Sequence, residues 1–238
     1  MNNEARAYLE FLASATGAPS GFAIEKIRER TDGRHAKINQ ELIGTFTGVE
    51  EEKIVKIDNA GADKATKIGV AGESSGAMIA ASLCHTLNNI DFQILVCGTF
   101  DLINKRPSHK EFTKPMYGLT YDVIKWAHET AFRNADDLMD PRVSVLLNKS
   151  FDGLPPCLLI VCELDPVRDD SYGMVKKCRN NAKTIFYLAY QEALDKAGVK
   201  TKLTLIRGII HPFFSFPGIY RNASGQMINA VQEFMASL

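Results

Sequence analysis

The sequence lacks a net charge, a long apolar run and any paired-cysteine motif, and each absence removes a class of function. Its 28 Lys and Arg offset 28 Asp and Glu, so no overall field draws the molecule toward nucleic acid or an anionic membrane. No apolar stretch nears the ~18 residues that a membrane span needs. Glu4, Arg6 and Glu10 stand where a signal peptide would carry its apolar core. The five cysteines, Cys84, Cys97, Cys157, Cys162 and Cys178, are odd in number and show no Cys-x-x-Cys or His-rich spacing. That argues against both a disulfide framework and a zinc site. A reducing, cytoplasmic setting is the expectation, and the sequons at Asn148 and Asn222 carry no weight without a secretory signal.

What is present is 238 residues, 45% apolar and 24% charged, enough to bury the core of a single domain over residues 1–238. Apolar residues at helical spacing predict a helix over 3–15, stopped by Gly17-Ala18-Pro19-Ser20-Gly21, and a shorter helix over 23–30. Residues 31–59 are polar and weakly patterned, with one strand-like stretch at 52–57. From Lys67 the pattern sharpens. Residues 68–72, 92–97, 157–162 and 202–206 read as short apolar strands, with helical text at 77–87, between the later strands, and at 222–238. Strands alternating with helices predict a mostly parallel α/β sheet flanked by helices.

The strongest local signal is Gly72-Glu73-Ser74-Ser75-Gly76, a G-x-S-x-G between a buried strand and a helix. Such a strand-to-helix turn asks for small residues on both sides of the serine and holds its hydroxyl at the carboxyl edge of the sheet. The N–H of Ser75 can then face a developing oxyanion. The plain alternative is a Ser/Gly-rich helix cap. A serine nucleophile needs a base and an orienting acid, in the chain order Ser, Asp/Glu, His. Asp165 follows the strand 157–162, and Pro166 ends further pairing; Asp169 and Asp170 are rivals, and a helix cap is again the bland reading. His211 follows the strand 202–206 and the turn residue Gly208. His35, His85, His109 and His128 lie on or between helices, so His211 alone fits the order, against the alternative of a packed core histidine.

With these segments in view, residues 67–238 resemble the hormone-sensitive-lipase-like branch of the α/β-hydrolases, which includes arylacetamide deacetylases and small carboxylesterases. The carriers are the Gly72–Gly76 pentapeptide, Asp140-Pro141-Arg142-Val143-Ser144, the run from Leu154 to Val161, Asp165-Pro166-Val167-Arg168-Asp169 and His211-Pro212-Phe213. The resemblance implies Ser74 as nucleophile, His211 as general base and then acid, and Asp165 as the residue that holds the imidazole. It implies two-step hydrolysis of a small-molecule carboxylic ester or aryl amide through an acyl-enzyme, with no metal or organic cofactor. Residues 1–58 would then be cap-like helices and a weak strand, and the excursion 103–132, with Tyr117, Tyr121 and Trp126, either lines a substrate pocket or packs as a surface helix pair.

Two departures qualify that expectation. The family's His-Gly-Gly-Gly loop, which lies before the elbow and supplies oxyanion N–H groups, is absent from these residues. Only about ten residues separate 52–57 from the elbow strand, so a block on the order of 80 residues, at ~30 per βαβ unit, is skipped. The sheet is thus truncated before the elbow, leaving an apolar edge open to aggregation or self-association. Conversely, residues 174–188 look inserted; a skipped and an added block are what an alternative transcript or a gene-model error leaves. Losing one oxyanion donor costs about 2.7 to 4 kcal/mol, so the resemblance implies an impaired hydrolase, or else an inactive hydrolase-like binding protein.

Overall fold

Six consecutive residues, Cys157-Leu158-Leu159-Ile160-Val161-Cys162, are almost wholly removed from solvent, which an apolar strand achieves only when both faces of its sheet are covered. The computed structural model describes residues 1–15, 67–132, 134–171, 189–211 and 213–238. Its elements are α1 (Asn3–Ala15), β1 (Gly69–Glu73), α2 (Ser75–Thr86), β2 (Phe92–Val96), α3 (Pro107–Glu111), α4 (Tyr121–Ala131), β3 (Cys157–Leu164), α5 (Arg168–Ser171), α6 (Tyr190–Lys196), β4 (Thr201–Ile210) and α7 (Arg221–Ala236), with short 3-10 turns between β2 and β3. The four strands lie side by side in the order β1-β2-β3-β4, every pair parallel. The expected helix 23–30, strand 52–57 and block 174–188 fall outside the described residues.

Period-two alternation divides β3 between two cores. Leu158, Ile160 and Cys162 join Ile206, Phe213, Tyr220 and Phe234 on the face covered by α1 and α7. Cys157 and Leu159 join Leu95, Phe100, Tyr190 and Leu194 on the face covered by α2 and α6. α2 approaches closely because its inward stripe, Ala77, Ala80, Ala81 and Cys84, is small. α1 docks at the end of β4: Asn2 N–H donates to the Gly208 carbonyl at 2.9 Å, Tyr8 packs 4.8 Å from Phe216, and Glu4 accepts from the first N–H groups of α7.

Two boundaries differ from the sequence reading. α2 starts at Ser75, directly after the elbow, because the turn is a single residue long. β4 continues to Ile210, four residues beyond the predicted end, so Gly208 is not its terminating turn. With φ +70, Gly208 instead introduces a bulge, and the pairing with β3 slips between Cys162 and Leu164. Bulges bend a strand and re-aim the residues beyond them; here the residue re-aimed is His211.

At the other margin, β1 has a single neighbour among the described residues. Its Gly69 and Ala71 are exposed, and Ile68 (50%) and Ile79 (56%) lie open nearby. Burial therefore predicts unequal sensitivity: Leu159→Ala should cost about 2–5 kcal/mol in a urea titration, whereas Ile79→Ala should stay within about 0.5 kcal/mol of the parent.

Candidate active site

The turn from β1 into α2 is built around one strained residue. Ser74 has φ 57 and ψ −120, a region that non-glycine residues occupy only when neighbours hold them there, at a cost of about 1–3 kcal/mol. Its N–H is held by the Val96 carbonyl on β2 at 2.9 Å, and its carbonyl accepts from Ala77 at 3.1 Å to begin the helix. A Cβ on Gly72 would sit 2.2 Å from the Gly76 carbonyl oxygen, whereas one on Gly76 meets nothing within 4 Å. The need for a small residue is thus confined to the Gly72 side, a correction to the expectation of two. Ser74 occupies the N-cap position of α2 but makes no side-chain capping bond, so its hydroxyl is not spent on the helix end. Ser75 is the first residue of α2, so its N–H has no intrahelical acceptor.

Asp165 and His211 meet directly. His211 Nδ1 lies 2.9 Å from Asp165 Oδ2, and both residues are buried, Asp165 completely. The other carboxylate oxygen accepts the Val167 N–H at 2.9 Å, a turn that Pro166 favours by fixing the chain between them. Burial opposes the imidazolium, but the charge and hydrogen bond of Asp165, aided by Cys97, carry the His211 pKa well above its ordinary value. The rival acids are committed elsewhere. Asp170 holds Arg106 Nε at 2.9 Å and the Phe100 N–H at 3.1 Å, while Asp169 holds Arg168 Nε at 2.9 Å and the Ser108 N–H at 2.9 Å. Among the rival histidines, His109 accepts the Arg106 N–H at Nδ1, and burial together with Arg106 lowers its pKa to about 4. His85 and His128 belong to α2 and α4, and His35 falls outside the described residues.

The serine and the histidine are linked through a residue that the sequence reading passed over. Glu73, between Gly72 and Ser74, accepts the Phe214 N–H at 3.1 Å and the Ser215 hydroxyl at 2.8 Å. It thereby ties the loop after His211 to the elbow beside Ser74. Ser74 Oγ makes no hydrogen bond among the described residues; such contacts are commonly loose without substrate. Gly118 also abuts the site, its Cβ position 2.9 Å from the His211 carbonyl oxygen. The excursion encloses a cavity of about 410 Å³ lined by Asp101, Lys105, His109, Tyr121 and Ile124. None of Ser74, Asp165 and His211 lines that cavity, and neither does Trp126.

Two cysteines stand behind the pair. Cys97, at the carboxyl end of β2 with φ +46, places Sγ 3.1 Å from Cys162 Sγ. The two sulfurs and an Asp165 oxygen lie within 4.8 Å of one another. Two chain segments supply them, the end of β2 with Cys97 and the end of β3 with Cys162 and Asp165, and the Asp165 carboxylate is already engaged by His211 and Val167.

A family described as alpha/beta hydrolase fold matches residues 45–187, a span that starts upstream of Lys67 and includes Ser74 and Asp165. Curated relatives include an ethyl acetate hydrolase of Pseudomonas putida, 24% identical over 196 residues, covering 80% of this chain and 54% of that protein. A carboxylic ester hydrolase of Mycobacterium tuberculosis is 26% identical over 183 residues, covering 71% and 44%. Among solved structures, an esterase of Pyrobaculum calidifontis superposes with a TM-score of 0.59 at 25% identity, covering 72% of this chain and 53% of that one. An ester hydrolase from the Lake Arreo metagenome gives 0.55 at 28%, covering 68% and 50%. The chain spans about half the length of the curated relatives it matches.

The geometry of the elbow and of the Asp–His pair predicts two outcomes. Gly72→Ala should unfold or misassemble the elbow, read as a lowered urea midpoint, whereas Gly76→Ala should leave stability within about 1 kcal/mol of the parent. Because His211 is raised in the folded chain, the stability contributed by its pairing with Asp165 is complete below the unfolded value of about 6.5 and is lost as pH rises through the folded value. The urea midpoint should therefore fall on the alkaline side of neutrality, and Asp165→Asn should flatten that dependence.

Proposed function

We propose, for a chain that belongs to the alpha/beta hydrolase family, the hydrolysis of small carboxylic esters, and by extension aryl amides, through a Ser74–His211–Asp165 triad. The observation that carries this reading is the buried 2.9 Å contact between His211 Nδ1 and Asp165 Oδ2, on the same sheet edge as the strained Ser74. Holding Nδ1–H on Asp165 leaves Nε2 as the basic nitrogen. In the first half-reaction Nε2 takes the Ser74 proton as Oγ attacks the ester carbonyl; the imidazolium, stabilised by Asp165, then protonates the departing alcohol. In the second, water attacks the acyl-enzyme with His211 again as base, and Ser74 regains its proton. The names of the relatives, an ethyl acetate hydrolase and a carboxylic ester hydrolase, support an ester as the substrate class.

The oxyanion formed in each half-reaction falls at the start of α2, where the Ser75 N–H and the positive end of the helix dipole favour negative charge. With the His-Gly-Gly-Gly loop absent from the sequence, turnover is reduced, since each missing donor lowers kcat on the order of 10² to 10³-fold. That absence also favours a second reading, a folded chain that keeps the triad but binds rather than cleaves. The remaining assignments share this footing. The four described cysteines are buried free thiols, which supports a reducing, cytoplasmic setting, and the margin of β1, which has one strand neighbour among the described residues, supports self-association along that edge. No helix among the described residues is long and apolar enough to cross a membrane.

The test is stoichiometric labelling of the purified chain with a fluorophosphonate. The hydrolase reading predicts labelling that disappears in Ser74→Ala and slows about 10⁴-fold in Asp165→Asn; a folded chain that takes up no label favours the binding reading. The labelling rate should rise with pH through a midpoint above 6.5, opposite in sense to the stability, because only neutral His211 accepts the serine proton.

A further inference from the structure

The triad chemistry leaves Cys97 and Cys162 unused, although they are the nearest chemically active groups behind it. Both are fully buried on the same face of the sheet. Their sulfurs are 3.1 Å apart, roughly 1 Å beyond a disulfide bond of ~2.05 Å, so closing the gap asks for side-chain rotation and little movement of the strands. The backbone holds them there: Cys97 N–H donates to the Ile160 carbonyl at 2.7 Å, and Cys162 lies two residues further along β3.

We infer that Cys97 and Cys162 form an oxidation site, closed to an intramolecular disulfide by a small peroxide, that lowers the reactivity of the serine site. The two thiols are unequal in the way such pairs require. The Cys162 thiol and the His211 ring lower the Cys97 pKa against burial, while burial and the neighbouring Cys97 hold Cys162 well above its ordinary value. Cys97 is the attacking sulfur and Cys162 the resolving one. In the first step the Cys97 thiolate bonds one peroxide oxygen and the O–O bond breaks; the leaving hydroxide takes the proton held by His211 and departs as water. In the second, Cys162 sulfur attacks the sulfenic sulfur of Cys97, the S–O bond breaks, and hydroxide leaves with the Cys162 proton. Two thiols lose two electrons and two protons, and one peroxide becomes two waters.

The consequence reaches Ser74 along a short path. Cys97 directly follows Val96, whose carbonyl holds the Ser74 N–H at 2.9 Å, and its side chain helps to raise the His211 pKa. Disulfide formation removes that influence and takes up a gap of roughly 1 Å beside the strand end that holds Ser74. The remaining described cysteines provide contrast: burial raises Cys84 to about 12 and holds Cys157 far above its ordinary value, so both should resist the same peroxide.

The experiment treats the reduced full chain with hydrogen peroxide, removes the oxidant with catalase, then denatures, alkylates and maps the peptides by mass. The expected result is a linked Cys97–Cys162 peptide, lighter by two hydrogens and reopened by dithiothreitol, with Cys84 and Cys157 alkylated. Fluorophosphonate labelling of the native oxidised chain should be slower by ten- to roughly 10²-fold and recover with the reductant. Free alkylation of both cysteines, or Cys97 driven to sulfinic acid without a link, overturns the proposal, as does an unchanged labelling rate in a chain shown by mass to be linked. Cys162→Ser adds a check: dimedone should trap Cys97 as the sulfenic acid, and a variant in which Cys97 takes up no dimedone contradicts the assigned attacking role. The link is read by mass alone, so its absence leaves the Ser74 reading intact, and a chain that never labels leaves the link measurable.

Discussion

An Asp–His contact withdrawn from water is the interaction on which the site depends. A carboxylate and an imidazole buried separately would each be driven neutral by desolvation. Brought to 2.9 Å, with the second carboxylate oxygen held by the Val167 N–H, they support each other, and the imidazole keeps one ring orientation and one basic nitrogen. Everything around the pair serves that placement. β3 delivers Asp165 from the most buried strand of the sheet, and the bulge at Gly208 turns His211 toward it.

The same region shows how neighbouring acids are kept out of the chemistry. Asp165, Asp169 and Asp170 lie within six residues of one another, yet only the first reaches His211. Asp169 and Asp170 are absorbed by Arg168 and Arg106 and by backbone N–H groups of the excursion after β2. A buried arginine between carboxylates is costly unless every hydrogen-bonding group is satisfied, so this network fixes the excursion against the end of β3 and leaves Asp165 to the histidine. Glu73 does the corresponding work on the serine side, where a single carboxylate takes two donors from the loop after His211.

Much of this was legible before any coordinates, for identifiable reasons. The apolar run 157–162 reads as a central strand, and a G-x-S-x-G between strand and helix points to a tight elbow, so Ser74, Asp165 and His211 could be nominated from order and strand ends; the strained turn at Ser74 and the contact between Asp165 and His211 are what the structure shows. Gly208 was misread because a lone glycine with positive φ looks the same in a sequence whether it ends a strand or bulges it. The roles of Glu73, Cys97 and Arg106 were invisible, since each depends on which strand ends and loops become neighbours, and no spacing along the chain encodes that. The excursion 103–132 left two readings open, a pocket wall or a surface helix pair; its cavity is lined by none of Ser74, Asp165 and His211, and Gly118 lies against the His211 carbonyl.

The central claim is that a chain spanning about half the length of its curated relatives suffices to make Ser74 a nucleophile. The most direct measurement is rapid acid quench of the chain during turnover of a short-chain phenyl ester, with mass mapping of the acylated peptide. The predicted result is an acyl group on Ser74, absent in His211→Ala. Ester consumption with the acyl group on another side chain, or with no acyl-enzyme and undiminished by Ser74→Ala, would contradict it.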